Sequence, residues 1–90
     1  MDGVYGETYE KARRLRYDIY NPKLSLEDRI MIILREFDRP MHSTEILMVL
    51  RSLFPGPKPY PSRTWLLATL SKMYREGKLK KLARGVYALP

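Results

Sequence analysis

The sequence predicts a mainly α-helical protein of four helices that ends in a small antiparallel β-hairpin. Apolar residues recur at helical spacing through most of the chain as far as Glu76. After Gly77, two short runs with strand-like composition flank Arg84-Gly85, as in a hairpin. A chain of 90 residues is long enough for one hydrophobic core and too short for two domains.

The first predicted helix covers residues 7 to 20 and ends at Asn21-Pro22. Its apolar and aromatic side chains are more numerous than a free appendage would expose, so we expect residues 1 to 24 to form a helical extension that makes a homodimer. The residues expected at that interface are Tyr5, Tyr9, Ala12, Ile19 and Tyr20. The alternative, a fourth core helix packed on its own domain, stays open.

The second predicted helix begins after Ser25, because Asp28 three residues later completes a capping-box pattern. Its core face consists of Leu26, Ile30, Ile33, Leu34 and Phe37. Asp38-Arg39-Pro40 ends it, since proline does not continue a helix.

Ser43 or Thr44 is predicted to cap the third helix, which stops at Pro55-Gly56-Pro57. Its core face consists of Ile46, Val49, Leu50, Leu53 and Phe54. His42, Ser43 and Glu45 resemble a set for acid-base chemistry, but we interpret them as helix-start residues and expect no enzyme activity. With no cysteine and one histidine, the chain is expected to hold no metal or other cofactor.

Ser62 is predicted to cap the fourth helix, over residues 63 to 76, and Gly77 to end it. Its core side is expected to hold Leu66, Leu67, Leu70, Met73 and Tyr74, and its outward side Thr64, Trp65, Ala68, Thr69, Lys72 and Arg75. We expect Trp65 to pack beneath the preceding loop against Tyr60. The two strands follow at about 78 to 82 and 86 to 89, with Leu79, Tyr87 and Leu89 toward the core.

The formal net charge of +7 is concentrated at the C-terminal end. Residues 58 to 90 hold eight basic side chains and one acidic one, Glu76, whereas the rest of the chain is close to neutral. A basic segment of this kind is suited to binding a polyanion. The alternative interpretation is a basic face that only contacts solvent. Small side chains on the outward face of helix 63 to 76 fit base edges, and the cations on that face and on the hairpin fit phosphates.

Three segments together resemble a known family: PMHSTEIL from Pro40, the pattern L-x-x-L-x-x-M-Y-x-x-G from Leu67, and G-x-L-x-x-L-x-R-G-V-Y-A-L from Gly77. The chain resembles the winged helix-turn-helix superfamily over residues 25 to 89, and most closely its HARE-HTH branch of DNA-associated proteins. The resemblance implies a winged helix-turn-helix at 25 to 90, preceded by the extra N-terminal helix. It implies that helix 63 to 76 docks in the major groove and that the hairpin, as the wing, contacts the backbone or minor groove.

By position, the resemblance assigns DNA contacts to Ser62, Arg63, Thr64, Thr69 and Lys72 in the helix and to Lys80, Lys81 and Arg84 in the wing. The basic block adds Lys58, Arg75 and Lys78 to this expected set.

The function expected from these features is double-stranded DNA binding by a small transcription regulator. The alternative is a winged helix that binds proteins in a transcription or DNA-processing complex. An RNA-binding module is less favoured, because the strands lack an aromatic platform for stacking bases.

We expect a cytoplasmic protein, since Asp2 and Glu7 stand where a signal peptide would be basic and then apolar. No membrane and no small-molecule substrate are expected. The absence of glutamine and the charged fraction of 30% are typical of a thermophile.

Overall fold

The computed structural model describes Glu10, Ile19 and residues 21 to 54 and 60 to 90. Within that part of the chain, three helices and three short strands follow in the order α1 (Leu26–Phe37), β1 (Met41–His42), α2 (Ser43–Leu53), α3 (Arg63–Arg75), β2 (Lys80–Ala83) and β3 (Val86–Ala88). The prediction of a mainly helical fold with a small antiparallel β-hairpin is confirmed, a third strand extends the hairpin into a sheet, and the order is compatible with a winged-helix arrangement. The predicted helix at 7 to 20 lies almost wholly outside the described residues.

Helix α1 begins as its sequence predicts. The Ser25 hydroxyl accepts a hydrogen bond from the Asp28 N–H at 3.1 Å, and the Asp28 carboxylate accepts one from the Ser25 N–H at 3.0 Å. This capping box satisfies two N–H groups that have no partner inside the helix. At the other end Asp38 adopts a left-handed conformation with φ of 51°, and the helix stops before Pro40.

The start of α2 differs from the prediction that Ser43 or Thr44 is the cap. The cap is His42, whose Nδ1 accepts a hydrogen bond from the Thr44 N–H at 3.0 Å. Ser43 is instead the first helical residue and is buried. Glu45 is also buried, and its carboxylate pairs with Arg39 at 2.6 Å, so it binds the preceding turn to α2.

The sheet has three antiparallel strands in the order β1, β3, β2. Met41 of β1 and Lys81 of β2 both lie opposite Tyr87 of β3, and a bulge separates Lys81 from Ala83. The sequence predicts only the hairpin of β2 and β3. A strand of two residues is too short to show alternation, and β1 forms only because β3 supplies its hydrogen-bond partners.

Helix α3 confirms both predicted ends to within a residue. The Ser62 hydroxyl accepts a hydrogen bond from the Trp65 N–H at 3.1 Å. Beyond its last turn, Gly77 has φ of 78°, and the Lys78 N–H donates to the Met73 carbonyl at 2.9 Å. Glycine adopts this left-handed conformation without the steric cost that a side chain adds, so Gly77 ends the helix and turns the chain toward β2.

The core lies between the three helices and the inner face of the sheet. Its fully buried side chains are Ile19, Ile30, Ile33, Leu34, Met41, Ile46, Val49, Leu50, Leu66, Leu70 and Met73. Leu79 and Tyr87 are buried as expected, and Leu89 packs against the core while partly buried. No helix in the described residues has both the length and the apolar character needed to cross a membrane.

Ile19 is therefore placed differently from the prediction that it lies at a dimer interface. Its side chain has 0% exposure and packs in the core of its own chain, which leaves it no surface for a second copy. The other expected interface residues, Tyr5, Tyr9, Ala12 and Tyr20, lie outside the described residues.

Candidate nucleic-acid interface

Helix α3 presents a polar face to solvent. Leu66, Leu70 and Met73 form its buried stripe, and Thr64, Ala68 and Arg75 are exposed. At about 100° per residue these three lie opposite the stripe, so the centre of the outward face is short and polar with a cation at its end. A surface of this shape can approach a nucleic-acid groove closely.

The prediction that Leu67 and Tyr74 lie on the core side is wrong. Leu67 is 39% exposed and Tyr74 is 48% exposed. Both lie roughly 70° to 95° around the helix from the centre of the buried stripe, where the neighbouring elements no longer cover the surface. They form an apolar edge to the outward face.

Trp65 lies on the opposite edge of α3. Its ring packs edge-on against Tyr60 with 5.5 Å between centroids, which agrees with the expected partner. It is nevertheless 48% exposed, so the expectation that the loop buries it is wrong. Tyr60 in turn packs against Phe54 at the end of α2, at 5.0 Å.

Arg29 holds this aromatic cluster in place and is absent from the sequence-based predictions. It is buried in α1, and its guanidinium donates to the carbonyls of Ile19 and Asn21, each at 3.1 Å, and to the Tyr60 hydroxyl. The guanidinium also lies 4.8 Å from the centroid of the Phe54 ring. An arginine at the edge of the apolar stripe of a helix is the signal that indicates such a site.

Lys81 of the hairpin lies near α3. Its Nζ lies 6.0 Å from the ring centroids of both Tyr74 and Tyr87, at the outer limit of a cation–π contact. Lys80 and Lys81 are both among the residues expected to contact DNA, but they project to opposite faces of the sheet, as successive strand residues do. Lys80 lines a cavity of about 190 Å³ on the side of Asp38 and Pro40.

Lys72 and Lys78, two of the residues expected to contact DNA, are both ion-paired. The Nζ of Lys72 lies 2.8 Å from Oε2 of Glu27, and the Nζ of Lys78 lies 2.9 Å from Oε1 of the same carboxylate. Glu76 adds longer contacts to both lysines, at 3.9 Å and 3.4 Å. The hydrogen bonds from Lys72 and Lys78 hold the pKa of Glu27 below its usual range, and Glu27 raises the pKa of each lysine.

The turn between β2 and β3 carries Arg84 and Gly85. Arg84 is exposed, and Gly85 has φ of 77° with its carbonyl accepting from the Ser43 N–H at 2.8 Å. A Cβ on Gly85 would lie 2.9 Å from Nε2 of His42, so the turn is packed against the start of α2. The tip of the hairpin is therefore held in position relative to the helices, with Arg84 pointing to solvent at its end.

A groove separates α2 from the start of α3. Thr44, Met48 and Arg51 contribute to one side and Arg63 to the other. The Nε of Arg51 donates to the carbonyl of Pro61 at 3.4 Å, which keeps its guanidinium at the groove. Arg51 lies outside the predicted basic block, so charge along the sequence does not reveal it.

The residues expected to bind DNA thus differ in whether their side chains are already engaged within the protein. Ser62 is occupied as a helix cap, and the hydroxyl of Thr69 donates to the Trp65 carbonyl at 2.8 Å. Lys58 lies outside the described residues. Those that are exposed and make no salt bridge within the described ranges are Arg63, Thr64, Arg75, Lys80, Lys81 and Arg84.

Comparisons of this chain with known protein families, with curated proteins and with solved structures give no significant match. The resemblance to winged helices consequently stays an expectation from the sequence motifs.

Proposed function

We propose that this chain is a winged-helix protein that binds double-stranded DNA, with α3 in the major groove and the hairpin of β2 and β3 against the backbone or minor groove. The order of helices and strands supports this proposal, because it is the order in which a winged helix presents one helix and one hairpin on the same side. Within this proposal the chain acts as a small regulator of transcription, which is one of the roles that such a binding mode allows.

The observation that carries the proposal is the position of the unpaired cations. Arg63 and Arg75 stand at the two ends of α3, about 18 Å apart along the helix axis. Lys81 lies beside the C-terminal half of α3, and Arg84 lies at the tip of the hairpin. Arg63, Arg75 and Lys81 lie on or beside α3, whose outward face has a short and polar centre. Arg84 adds a cation on the hairpin, so phosphate contacts and base readout could be divided between the two elements.

A salt titration tests the proposal directly. Fluorescence anisotropy of a random duplex should show binding whose log K falls with log salt at a slope of about −3 to −5, as expected for four or five phosphate contacts. Arg84→Ala should weaken binding and reduce the slope by about 1. Arg35→Ala removes the same charge from an exposed position on α1 and serves as the matched control. Binding that does not depend on salt, or none at low salt, contradicts the proposal.

The second candidate is a winged helix that binds protein. The exposed apolar side chains Trp65, Leu67, Tyr74 and Leu82 favour it, since large apolar residues on a surface are common at protein interfaces. The same titration separates the two functions. If the folded chain binds no duplex at low salt, only the protein-binding function remains as a candidate. Competition by single-stranded DNA and by RNA in that assay measures the preference for duplex DNA.

A further inference from the structure

We propose that Glu27 is an internal competitor of DNA phosphate, and that its carboxylate occupies an anion site formed by Lys72 and Lys78. By holding these lysines, Glu27 sets the affinity and the salt dependence of DNA binding. This inference rests on the proposed function and names the residue that regulates the same basic surface.

The geometry around Glu27 is that of an occupied anion site. Each carboxylate oxygen accepts a hydrogen bond from a different lysine, at 2.8 Å from Lys72 and 2.9 Å from Lys78. Two oxygens of one phosphate group could accept the same two bonds. With the longer contacts from Glu76, two lysines and two glutamates cancel in charge, so the outward field of the basic block is smaller than its sequence implies.

The two lysines are free to change partner. Their side chains are 54% and 51% exposed, and ion pairs at such positions are weak because water and salt screen them. Glu27 itself is 23% exposed and stands in the first turn of α1, where the helix dipole favours a negative charge. The carboxylate is thus the fixed member of the cluster, and the lysines are the mobile ones that a phosphate can recruit.

A purely structural role for Glu27 makes the opposite prediction. If the ion pairs serve only to fasten α1 to α3 and to the start of the hairpin, removing the carboxylate loosens the DNA-binding surface and lowers affinity. If Glu27 competes with phosphate, removing its charge releases two cations and raises affinity.

The first test compares the full chain with Glu27→Gln and with Glu36→Gln in duplex anisotropy across a range of salt. Glu36 is exposed on the same helix, about 13 Å from Glu27 along the axis, which exceeds the Debye length of about 8 Å at physiological salt. We expect Glu27→Gln to tighten binding about three- to tenfold at low salt and to steepen the slope by about 0.9 to 1.8, for one or two added phosphate contacts. Glu36→Gln should change affinity less than about twofold.

The second test places Lys72→Gln in both backgrounds. In the natural chain the substitution should weaken binding less than in the Glu27→Gln background, because a phosphate must displace Glu27 before it contacts that lysine. In the Glu27→Gln background it should remove much of the gain. Both backgrounds are measured at a temperature at which circular dichroism shows Glu27→Gln to be folded, so a lower melting temperature of that variant does not remove the comparison.

The outcomes separate this inference from the function on which it rests. If the natural chain binds duplex but Glu27→Gln binds no more tightly than Glu36→Gln, or Lys72→Gln weakens binding equally in both backgrounds, Glu27 is not a competitor and the DNA-binding proposal stands. If no variant binds duplex at low salt, both are overturned.

Discussion

Replacing Arg29 with methionine should destabilise the fold more than any other change to a charged side chain that the structure suggests. The guanidinium donates three hydrogen bonds, to the Ile19 and Asn21 carbonyls and to the Tyr60 hydroxyl, and it packs against the ring of Phe54. Methionine fills much of the same volume but donates none of these bonds. The substitution therefore isolates the polar role of the side chain.

The expected loss follows from the contacts. A hydrogen bond from a charged donor contributes about 1.5 to 3 kcal/mol, and a buried carbonyl left without a donor costs about 1 to 3 kcal/mol. Two of the three bonds are only partly buried, and the natural chain already carries the desolvation cost of the charge. We therefore expect a net loss of about 3 kcal/mol, which corresponds to a fall in Tm of roughly 12 to 24 °C for a domain of this size.

Urea and thermal denaturation measure this effect. Far-UV circular dichroism reports on the helices, and fluorescence reports on the single tryptophan, Trp65, which contacts Tyr60 in the same cluster. Arg35→Met, at an exposed position on the same helix, should change stability by less than about 0.5 kcal/mol. Arg29→Lys should recover only part of the loss, because an ammonium does not present the planar fork of donors. A stability of Arg29→Met within about 1 kcal/mol of the natural chain would refute the role assigned to Arg29.

Three further outcomes are expected. Gly85→Ala should lower the free energy of unfolding more than Gly77→Ala, because both glycines have positive φ but only at Gly85 would a Cβ lie 2.9 Å from His42. Urea denaturation should give a loss of about 1 to 2 kcal/mol for Gly77→Ala. An equal loss at both sites would count against the clash. The pKa of Glu27 is lowered by its two lysine partners, so its contribution to stability is present above the unfolded-state pKa and lost as pH falls through the folded-state pKa. The stabilities of the natural chain and Glu27→Gln should accordingly converge in acid, and a gap that persists there contradicts the ion pairs. Sedimentation equilibrium of the full chain at micromolar concentration tests the expected N-terminal dimer, for which Tyr5, Tyr9, Ala12 and Tyr20 remain as interface residues once Ile19 is assigned to the core; a monomer would contradict that interface.

Features that depend on neighbours in the sequence were predictable from the sequence alone. The capping box of Ser25 and Asp28, the Ser62 cap and the left-handed Gly77 each depend on residues within one turn of a helix. The buried stripes of the helices follow from helical periodicity, because a side chain near the centre of an apolar face has no other place to pack. The concentration of positive charge in residues 58 to 90 is also a property of the sequence.

Only the tertiary structure decided which of these residues meet. Glu27 lies 45 and 51 positions from the lysines with which it pairs, and β1, in the middle of the chain, forms through pairing with the C-terminal strand β3. The exposure of Trp65 depends on how far the neighbouring elements extend over its edge of α3, which periodicity does not specify. Local patterns determine where the helices form and which residues lie at the centre of each buried face, but they determine neither β1 nor the edges of those faces. The position of each surface charge depends on long-range packing, and no short segment of sequence encodes that packing.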